Sequence, residues 1–343
     1  MKRNIIITLC VTAFLFFCFY QLNSSILYIP RQTVNARYVM LAPSGSTKYR
    51  NLIAKGVAKA DLDYHTNTVF IACDNSDSMI SQLQKAEYSG QDGIILIGIQ
   101  DNKSISNAVA AIRKRNIPVV MLDHKMPGVS YDHYIGIDNI KAGKLAADCI
   151  YKLFSDTEKA AVIVNKIDIE TQQLRYNGFF SEWSRLTGAD PENIKLIEGG
   201  GDYTSLKEKI EIVKQTEPDI HAFFCADASS SVFLKNIFDA LEMPGQTVVG
   251  FDTLDETIGY VRDGFYICAI GQDTQSMGYN AIKWLTEHKG MVSNKSKEGN
   301  NGYITGNLND GDIDEDVDLF LVDSSVAENY KTGDREGQVW LTD

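Results

Sequence analysis

The sequence predicts an α/β protein made of two similar, doubly wound parallel-sheet lobes that are joined by a hinge. Short apolar runs of strand length recur along the chain, and such continuous runs indicate strands that are buried on both faces. Helical patterns lie between these runs, which is typical of parallel sheets with crossover helices. After residue 138 the alternation starts again, so a second sheet of similar size is predicted.

The first series of elements begins shortly after the N-terminal region. Its strands are predicted at residues 38–42, 68–73, 93–97, 119–122 and 134–137. After the first strand, Tyr49, Ile53 and Val57 recur at the spacing of one helix face. Further helical patterns cover residues 78–88 and 105–112, so each pair of successive strands up to residue 122 is separated by a helix.

The second series repeats this order. Its strands are predicted at residues 161–164, 194–197, 222–225, 247–251 and 267–270. Its helices are predicted at residues 142–153, 174–186, 206–213, 232–241, 254–261 and 277–288. Residues 289–316 are rich in Gly, Asn and Asp and are predicted to form loops, and a last strand follows at 318–323. A cleft between two such lobes is the natural place for a ligand.

The domain organisation follows from these two series. The predicted parts are an N-terminal anchor or signal segment at 1–29, a tether at 30–36, a first lobe at 37–138 plus 273–302, a second lobe at 139–272 plus 303–330, and a C-terminal tail at 331–343.

The N-terminal segment predicts export from the cytoplasm. Lys2 and Arg3 precede an uncharged apolar run, and residues 5–29 are long enough to span a bilayer with the two cations left inside. A cleaved signal peptide would end in a small-x-small site, which residues 21–25 match poorly. We therefore expect a membrane anchor, with a removed signal peptide as the alternative.

Composition excludes several classes of function. A net charge of −12 argues against nucleic-acid binding, which needs a clustered positive face. The six cysteines form no C-x-x-C pair, so no zinc or redox motif is predicted. Buried free thiols are expected at Cys73, Cys149, Cys225 and Cys268, with one disulfide as the alternative. No catalytic triad order and no metal motif is found, so neither an enzyme nor a cofactor is predicted.

Polar residues directly follow many of the predicted strands. In open α/β sheets the ligand lies beyond the carboxyl ends of the strands, so these side chains are candidates for ligand contacts. They are Asp74, Asp123, Asp227, Asp252 and Gln272. The pattern indicates a polar small molecule held in a cleft.

The chain resembles the type I periplasmic sugar-binding proteins, close to the ribose- and galactose-binding group and to the effector domains of lac-repressor-like regulators. The segments that carry the resemblance are residues 38–56, 93–97, 116–123, 135–139, 175–179, 222–227, 248–252 and 269–273, in family order. Regulators carry a DNA-binding headpiece where this chain has its apolar run, which excludes the regulator interpretation.

The resemblance implies roles for several of these residues. Asp123 and His124 match the family's polar pair in the first lobe, although the family commonly has Asp-Arg there. Arg175 matches an arginine that precedes the family's Gly-Phe. Asp252 matches a carboxylate that contacts the ligand in the family, and Gln272 matches an amide on the family's last strand. Asp74 has no such match and is expected to be structural.

The remaining matches are less direct. Asp227 aligns with the Asn of an Asn-Asp pair, and Tyr203 aligns with an aromatic stacking position. The first loop departs most, and Thr47, Tyr49 and Arg50 are its candidate ligand residues. Tyr49 is either a stacking ring or part of the helix core, and Arg50 is expected to meet an anionic group if the ligand carries one.

The implied function is an extracytoplasmic receptor that closes over a sugar or sugar-like polyol. It would present the sugar to an ABC permease or signal its presence to a membrane sensor histidine kinase. The alternatives are a glycoside-processing hydrolase on the same fold and a receptor for a non-sugar signalling molecule.

Overall fold

The computed structural model divides into two compact units, residues 1–35 and 36–343, and both sheets lie in the second. The described residues are 12, 34–44, 47–99, 103–126, 128–153, 159–188, 190–292, 297–298, 315–328, 330 and 339–340. The predicted anchor at residues 5–29 therefore falls almost wholly outside the described residues. Of the helices that are described, none combines the length and apolarity that crossing a membrane requires.

The first sheet is six-stranded, with the order β13-β6-β4-β3-β1-β2 and parallel pairing throughout. Its strands are β1 (Ala36–Pro43), β2 (Thr66–Cys73), β3 (Gly93–Ile97), β4 (Val119–Leu122), β6 (His133–Gly136) and β13 (Glu315–Asp316). The helices that follow its first three strands are α1 (Thr47–Tyr64), α2 (Ser76–Tyr88) and α3 (Lys103–Lys114). β3 and β4 are buried over their whole length, as their uninterrupted apolar sequences predict.

The second sheet is seven-stranded, with the order β15-β14-β11-β10-β9-β7-β8. Its parallel strands are β7 (Ala160–Val164), β8 (Ile194–Glu198), β9 (Ala222–Cys225), β10 (Thr247–Phe251) and β11 (Cys268–Gln272). Antiparallel strands β14 (Leu319–Asp323) and β15 (Val339–Trp340) extend it at one edge. A separate two-stranded pair joins β5 (Ser130–Tyr131) to β12 (Lys297–Glu298).

Helices cover both faces of each sheet. The remaining helices are α4 (Asn139–Leu153), α5 (Glu170–Thr187), α6 (Tyr203–Thr216), α7 (Ala228–Ala240), α8 (Asp255–Arg262), α9 (Thr274–Glu287) and α10 (Ser324–Ala327). Apolar residues of α1 and α9 pack on the first sheet, and those of α4 and α5 pack on the second. Separate cores form under α2 and α3 and under α6, α7 and α8. The predicted α/β fold with two parallel-dominated sheets is confirmed.

Among the described elements, the chain crosses between the two sheets three times: from β6 to α4, from β11 to α9, and from β13 to β14. Hydrogen bonds link these crossings to one another. The Val317 amide donates to the Gly136 carbonyl at 2.8 Å, and the Asp273 amide donates to the Asp318 carbonyl at 3.1 Å. The three segments therefore lie side by side and form the connection about which the lobes are arranged.

The structure corrects the predicted course of the C-terminal region. β13 pairs with β6, so residues 315–316 belong to the first sheet, whereas the sequence placed 303–330 in the second lobe. Residues 339–340 form β15 on the second sheet, within the segment predicted as a tail. β13 and β15 have only two residues each. Segments this short show no periodicity in the sequence, and they become strands only by pairing with a strand that is distant along the chain.

Candidate ligand-binding site

A cavity of about 510 Å³ lies between the lobes, at the carboxyl ends of strands from both sheets. Its volume falls within the range of small-molecule sites. Most of the predicted ligand residues line it: Tyr49, Arg50, Asp123, His124, Arg175, Asp227, Asp252 and Gln272. The tertiary structure thus brings together side chains that lie far apart in the sequence.

One predicted residue is placed differently, and another is not described in full. Tyr203 begins α6 outside the cavity wall, and its ring packs edge-on against Phe233 with 6.0 Å between the ring centroids. Thr47 is the first residue of α1, and its side chain is not among those that the structure describes. Asp74, expected to be structural, is exposed after β2 and does not line the cavity.

Asp123 and Asp252 occupy equivalent positions in the two lobes. Each directly follows a strand, and each adopts a left-handed backbone conformation, with φ of 60° and 63° respectively. The amide of each donates to a carbonyl on the neighbouring strand, Asp123 to Ile135 at 2.9 Å and Asp252 to Ile270 at 2.8 Å. Such backbone strain in non-glycine residues is concentrated at functional sites.

Arg175 on α5 is 5% exposed and is held in one orientation. Its Nε donates to Asn139 Oδ1 at 2.8 Å, and its Nη1 donates to the Ala226 carbonyl at 2.9 Å. Its guanidinium carbon lies 3.7 Å from the centroid of the Phe251 ring. Because a guanidinium carries five N–H donors, these bonds leave donors that are available to a ligand in the cavity.

The position of Arg175 depends on a close approach of α4 and α5. A Cβ atom added at Gly143 would lie 2.0 Å from the Arg175 carbonyl oxygen, and one added at Gly178 would lie 2.1 Å from the Ile140 carbonyl oxygen. A larger residue at either position would push the two helices apart. The two glycines therefore keep α4 and α5 close enough for the Arg175 side chain to reach Asn139.

Asp252 and Gln272 form a hydrogen-bonded pair in the cavity wall, with Gln272 Nε2 donating to Asp252 Oδ1 at 2.8 Å. Burial raises the pKa of Asp252 to about 6, against the opposing effects of Arg175 and Gln272. The charges of Asp123 and Asp227 raise this pKa further. Gln272 Oε1 is buried and has no hydrogen-bond partner among the described residues.

Asp227 already makes bonds within the protein. Its Oδ1 accepts from the Ser230 amide at 3.0 Å and its Oδ2 accepts from the Ser230 hydroxyl at 2.7 Å, so it caps the start of α7. Burial raises the pKa of Asp227, and the hydrogen bonds from Ser230 oppose that rise. The residue lines the cavity, but part of its capacity to accept hydrogen bonds is used for the helix cap.

The first lobe contributes Tyr49, Arg50 and His124. The Tyr49 ring packs against the apolar core, and its pKa is raised well above the usual value by burial and by the charges of Asp123 and Asp252. Burial lowers the pKa of His124, so this imidazole is neutral at pH 7. Its Nδ1 is buried and has no partner in the described part of the chain. Arg50 Nη2 donates to the Ser44 carbonyl at 2.8 Å.

Sequence reasoning missed a polar cluster that follows β7. Asn165, Lys166 and Gln172 line the cavity, and Gln172 Oε1 accepts from the Asn165 amide at 2.5 Å. Asn165 comes directly after a predicted strand, so the rule that selected Asp123 and Asp252 applies to it as well. Gln172 had no comparable signal, because it does not directly follow a predicted strand.

One ion pair joins the lobes beside the cavity. Lys125, just after β4, lies 3.4 Å from Glu170, the first residue of α5, and their side chains are only 5% and 10% exposed. Lys125 Nζ also lies 4.7 Å from the centroid of the Tyr134 ring. The pair connects the first lobe to the helix that carries Arg175.

Comparisons with known proteins agree with this architecture. The sequence profile of the periplasmic binding protein domain matches residues 38–290. The ribose import binding protein of Escherichia coli (strain K12) is 26% identical over 195 residues, which cover 55% of this chain and 63% of that protein. The chain thus spans less than two thirds of that relative. The Bacillus subtilis (strain 168) ribose import binding protein is 23% identical over 232 residues, covering 66% of this chain and 72% of that protein.

Solved structures show the same fold. A glucose-galactose binding protein from Geobacillus stearothermophilus is 26% identical, with a TM-score of 0.64, and the match covers 74% of this chain and 91% of that one. The structure of the XylFII-LytSN complex matches with 18% identity and a TM-score of 0.67, covering 85% of this chain and 99% of that one.

Proposed function

Since this chain belongs to the periplasmic binding protein family, we propose that it is an extracytoplasmic receptor that closes its two lobes over a sugar. The observation that carries the proposal is a cavity of about 510 Å³ that is walled by residues of both lobes and in which Arg175, Asp252 and Gln272 lie together. The matched relatives named for ribose import and for glucose and galactose binding support a sugar as the ligand.

The chemistry of the wall suits a polyol. The carboxylates of Asp123 and Asp252 accept hydrogen bonds from hydroxyl groups, and Arg175 and Gln272 donate hydrogen bonds to hydroxyl oxygens. Hydrogen bonds to the charged groups are stronger than neutral ones and fix the direction of each hydroxyl. The neutral His124 adds a group that either donates or accepts, according to which ring nitrogen carries the proton.

Closure of the lobes is the proposed signal. A ligand that contacts both walls favours the closed arrangement in proportion to its extra affinity for that arrangement. The three crossings between the sheets are the proposed hinge. The Lys125–Glu170 ion pair adds a contact between the lobes that forms when they meet.

The partner is proposed to be either an ABC permease or a membrane sensor histidine kinase. The apolar run at residues 5–29 supports a receptor that stays on the outer side of the cell membrane, next to such a partner. A matched structure of this fold, XylFII, is solved in a complex with another protein, which supports the signalling alternative. Sequencing the N-terminus of the membrane-bound protein tests the anchor, and a mature chain that begins after residue 20 would contradict it.

We propose that the protein binds its ligand without converting it. Asp227 is engaged as a helix cap, Asp252 is bonded to Gln272, and Asp123 is hydrogen-bonded to Tyr49, so each of these carboxylates has a partner within the protein. Incubation with a panel of glycosides is expected to release no product. Released sugar would favour the hydrolase alternative.

The ligand is identified by calorimetry and thermal shift with neutral pentoses and hexoses and with hexuronic acids. A ligand at 100 times its dissociation constant adds about 2.7 kcal/mol of stability. D252A is expected to abolish the shift, because it removes a buried carboxylate that faces the cavity. D74A is the matched control, since Asp74 follows a strand but lies outside the cavity.

The same panel tests the anionic group proposed to meet Arg50. If the protein prefers uronic acids to the corresponding neutral sugars and R50Q loses this preference, the proposed anionic group is supported. Equal affinities for the two kinds of sugar would contradict it. The proposed function would be contradicted if the protein bound none of these sugars, or if D252A bound its sugar with unchanged affinity.

A further inference from the structure

Tyr134 contacts the loop that follows β4 at two points. It lies on β6, beside β4 in the first sheet, and it is 1% exposed. Its hydroxyl donates a hydrogen bond to the Asp123 carbonyl at 2.9 Å, and its ring centroid lies 4.7 Å from Lys125 Nζ. Asp123 lines the cavity, and Lys125 contacts the second lobe. One buried side chain therefore supports both a residue of the cavity wall and a residue that joins the lobes.

Two neighbouring residues of β6 hold the backbone of Asp123. The Asp123 amide donates to the Ile135 carbonyl at 2.9 Å, and the Asp123 carbonyl accepts from the Tyr134 hydroxyl. The φ angle of 60° places Asp123 in the left-handed conformation, which non-glycine residues keep only where the surrounding structure supports it. The direction of the Asp123 carboxylate depends on this conformation, so the Tyr134 hydroxyl helps to set where that carboxylate meets a ligand.

Gly136 leaves the space that the Tyr134 hydroxyl occupies. A Cβ atom added at Gly136 would lie 2.3 Å from the hydroxyl oxygen and 2.7 Å from Cζ of Tyr134. Gly136 is also the last residue of β6, where the chain leaves the first sheet for α4. The hydroxyl therefore lies beside the first crossing between the lobes, and a larger residue at position 136 would displace it.

The ring of Tyr134 is the part that contacts Lys125. Lys125 is 4% exposed, and a cation within about 6 Å of a ring centroid is attracted to the ring more strongly when water is excluded. The centroid of the Tyr131 ring lies 6.3 Å from that of the Tyr134 ring and supports it. Lys125 Nζ lies 3.4 Å from Glu170 Oε1, which belongs to the second lobe. The ring thus lies next to the cation of the ion pair that joins the lobes.

We propose that Tyr134 is a positioning residue that couples the ligand site of the first lobe to closure. Its hydroxyl holds Asp123 in the conformation that meets the ligand, and its ring holds Lys125 in the orientation that meets Glu170. The inference rests on the proposed function, because it concerns how the same cavity closes over its ligand.

The contribution of the ring follows from the freedom that a lysine side chain loses in an ion pair. That loss of rotamer freedom opposes the contact between Lys125 and Glu170. Tyr134 and Lys125 both belong to the first lobe, so their contact does not depend on closure. The ring restricts Lys125 before the lobes meet, and less freedom is then lost when the ion pair forms.

Calorimetry on the full chain, with neutral pentoses, hexoses and hexuronic acids, tests the role of the hydroxyl. Y134F removes the hydroxyl and keeps the ring. We expect its affinity for the bound sugar to fall about three- to tenfold, as for the loss of one hydrogen bond. G136A displaces the hydroxyl without changing Tyr134, so it should weaken binding as well.

Y266F is the matched control for Y134F. Tyr266 is also 1% exposed, and its hydroxyl donates to the Ser231 carbonyl at 2.7 Å. Neither Tyr266 nor Ser231 lines the cavity. Y266F should lower the Tm as Y134F does, but it should change the affinity by less than about twofold, because its site shares no partner with the ligand.

Two double-variant comparisons separate the two contacts of Tyr134. D123G keeps the left-handed backbone without strain but has no carboxylate to position, so adding Y134F to it should cause no further loss. Y134L removes the ring as well as the hydroxyl and should bind about three- to tenfold more weakly than Y134F. When K125M is added to each, these two variants should bind equally, because the ring then has no cation to hold.

Unchanged affinity in Y134F would overturn the proposal, as would an equal loss in Y266F or an undiminished effect of Y134F in D123G. Equal affinities of Y134L and Y134F would overturn the role of the ring. These results leave the proposed function intact if D252A still loses its affinity. If the unsubstituted protein bound none of the sugars, the proposed function and the coupling would both be contradicted.

Discussion

The two walls of the cavity differ in how firmly their polar groups are held. In the second lobe, Arg175 is fixed by Asn139, by the Ala226 carbonyl and by the Phe251 ring. In the first lobe, His124 presents a buried nitrogen with no partner among the described residues. Arg175 is therefore a preorganised part of the candidate site, and in the proposed function closure of the first lobe completes that site.

This difference exists although the backbones of the two walls are alike. Asp123 and Asp252 share the same left-handed conformation and the same hydrogen bond to the next strand. Their side-chain partners differ, because Asp252 accepts from Gln272 and the charge of Arg175 opposes the rise of its pKa that burial causes, whereas Asp123 is hydrogen-bonded to Tyr49. Equivalent strand ends thus provide equivalent backbone positions, in which the two carboxylates have different side-chain partners.

The strongest test of the comparison is R175A. It removes a cation from a wall that contains two buried carboxylates, and it leaves Asn139 Oδ1 and the Ala226 carbonyl without their donor. Ligand affinity is expected to fall by about a hundredfold or more, since each hydrogen bond to a charged group contributes about 1.5 to 3 kcal/mol. Calorimetry measures the loss, and R175K should rescue little of it because Lys lacks the planar fork.

R185A is the matched control for that variant, because Arg185 lies on the same helix with 65% of its side chain exposed. A loss of affinity in R185A as large as that in R175A would show that α5 is merely destabilised. An equal loss in H124A would remove the distinction between the two walls.

A smaller effect is expected from the ion pair that joins the lobes. K125M removes the cation that lies 3.4 Å from the largely buried carboxylate of Glu170, and we expect a fall in ligand affinity of about 10- to 50-fold, because removing one partner of a buried ion pair is destabilising. The double variant K125M/E170Q should recover part of the loss. R115Q, which breaks the more exposed pair with Glu87, is expected to change the affinity by less than about twofold.

Small-angle scattering shows whether K125M acts on closure. The ligand-saturated variant is expected to adopt the same compact form as the unsubstituted protein, but only at a higher ligand concentration. An unchanged affinity in K125M would mean that the contact between Lys125 and Glu170 does not stabilise the closed state.

The smallest predicted effect is the pH dependence conferred by Asp252. With a pKa of about 6, this carboxylate becomes protonated as the pH falls from 7 to 5, and the affinity should drop by less than about tenfold. Isothermal titration over this pH range measures the change. D252N should bind more weakly than the unsubstituted protein at pH 7, with a flatter profile.

The same group has the opposite effect on the stability of the ligand-free protein. The pKa of Asp252 is higher in the folded than in the unfolded chain, so between pH 4 and 6 the folded state binds more protons. Its contribution to the free energy of unfolding is therefore largest at low pH and decreases as the pH rises through about 6. Urea unfolding of the unsubstituted protein and of D252N at several pH values isolates this contribution, and identical profiles would contradict it.

Many residues of the candidate site were predictable, because the end of a strand can be recognised from residues that are neighbours in the sequence. An apolar run followed by Asp or Gln identified Asp123, Asp252 and Gln272 before any spatial arrangement was known. Arg175 was predictable only through the resemblance to a family, since an arginine on a helix is otherwise unremarkable. Tyr203 was placed at the site by the same resemblance, but its ring packs on Phe233 in the structure.

The sequence by itself determined the alternation of strands and helices, the two sheets and the polar ends of the strands, because these depend on the periodicity of neighbouring residues. The tertiary structure alone decided the return of β13 to the first sheet, the Lys125–Glu170 contact and the hydrogen bond from Arg175 to Asn139. Each of these joins residues from distant parts of the chain, and such contacts depend on how whole elements pack together. No local pattern in the sequence records that packing.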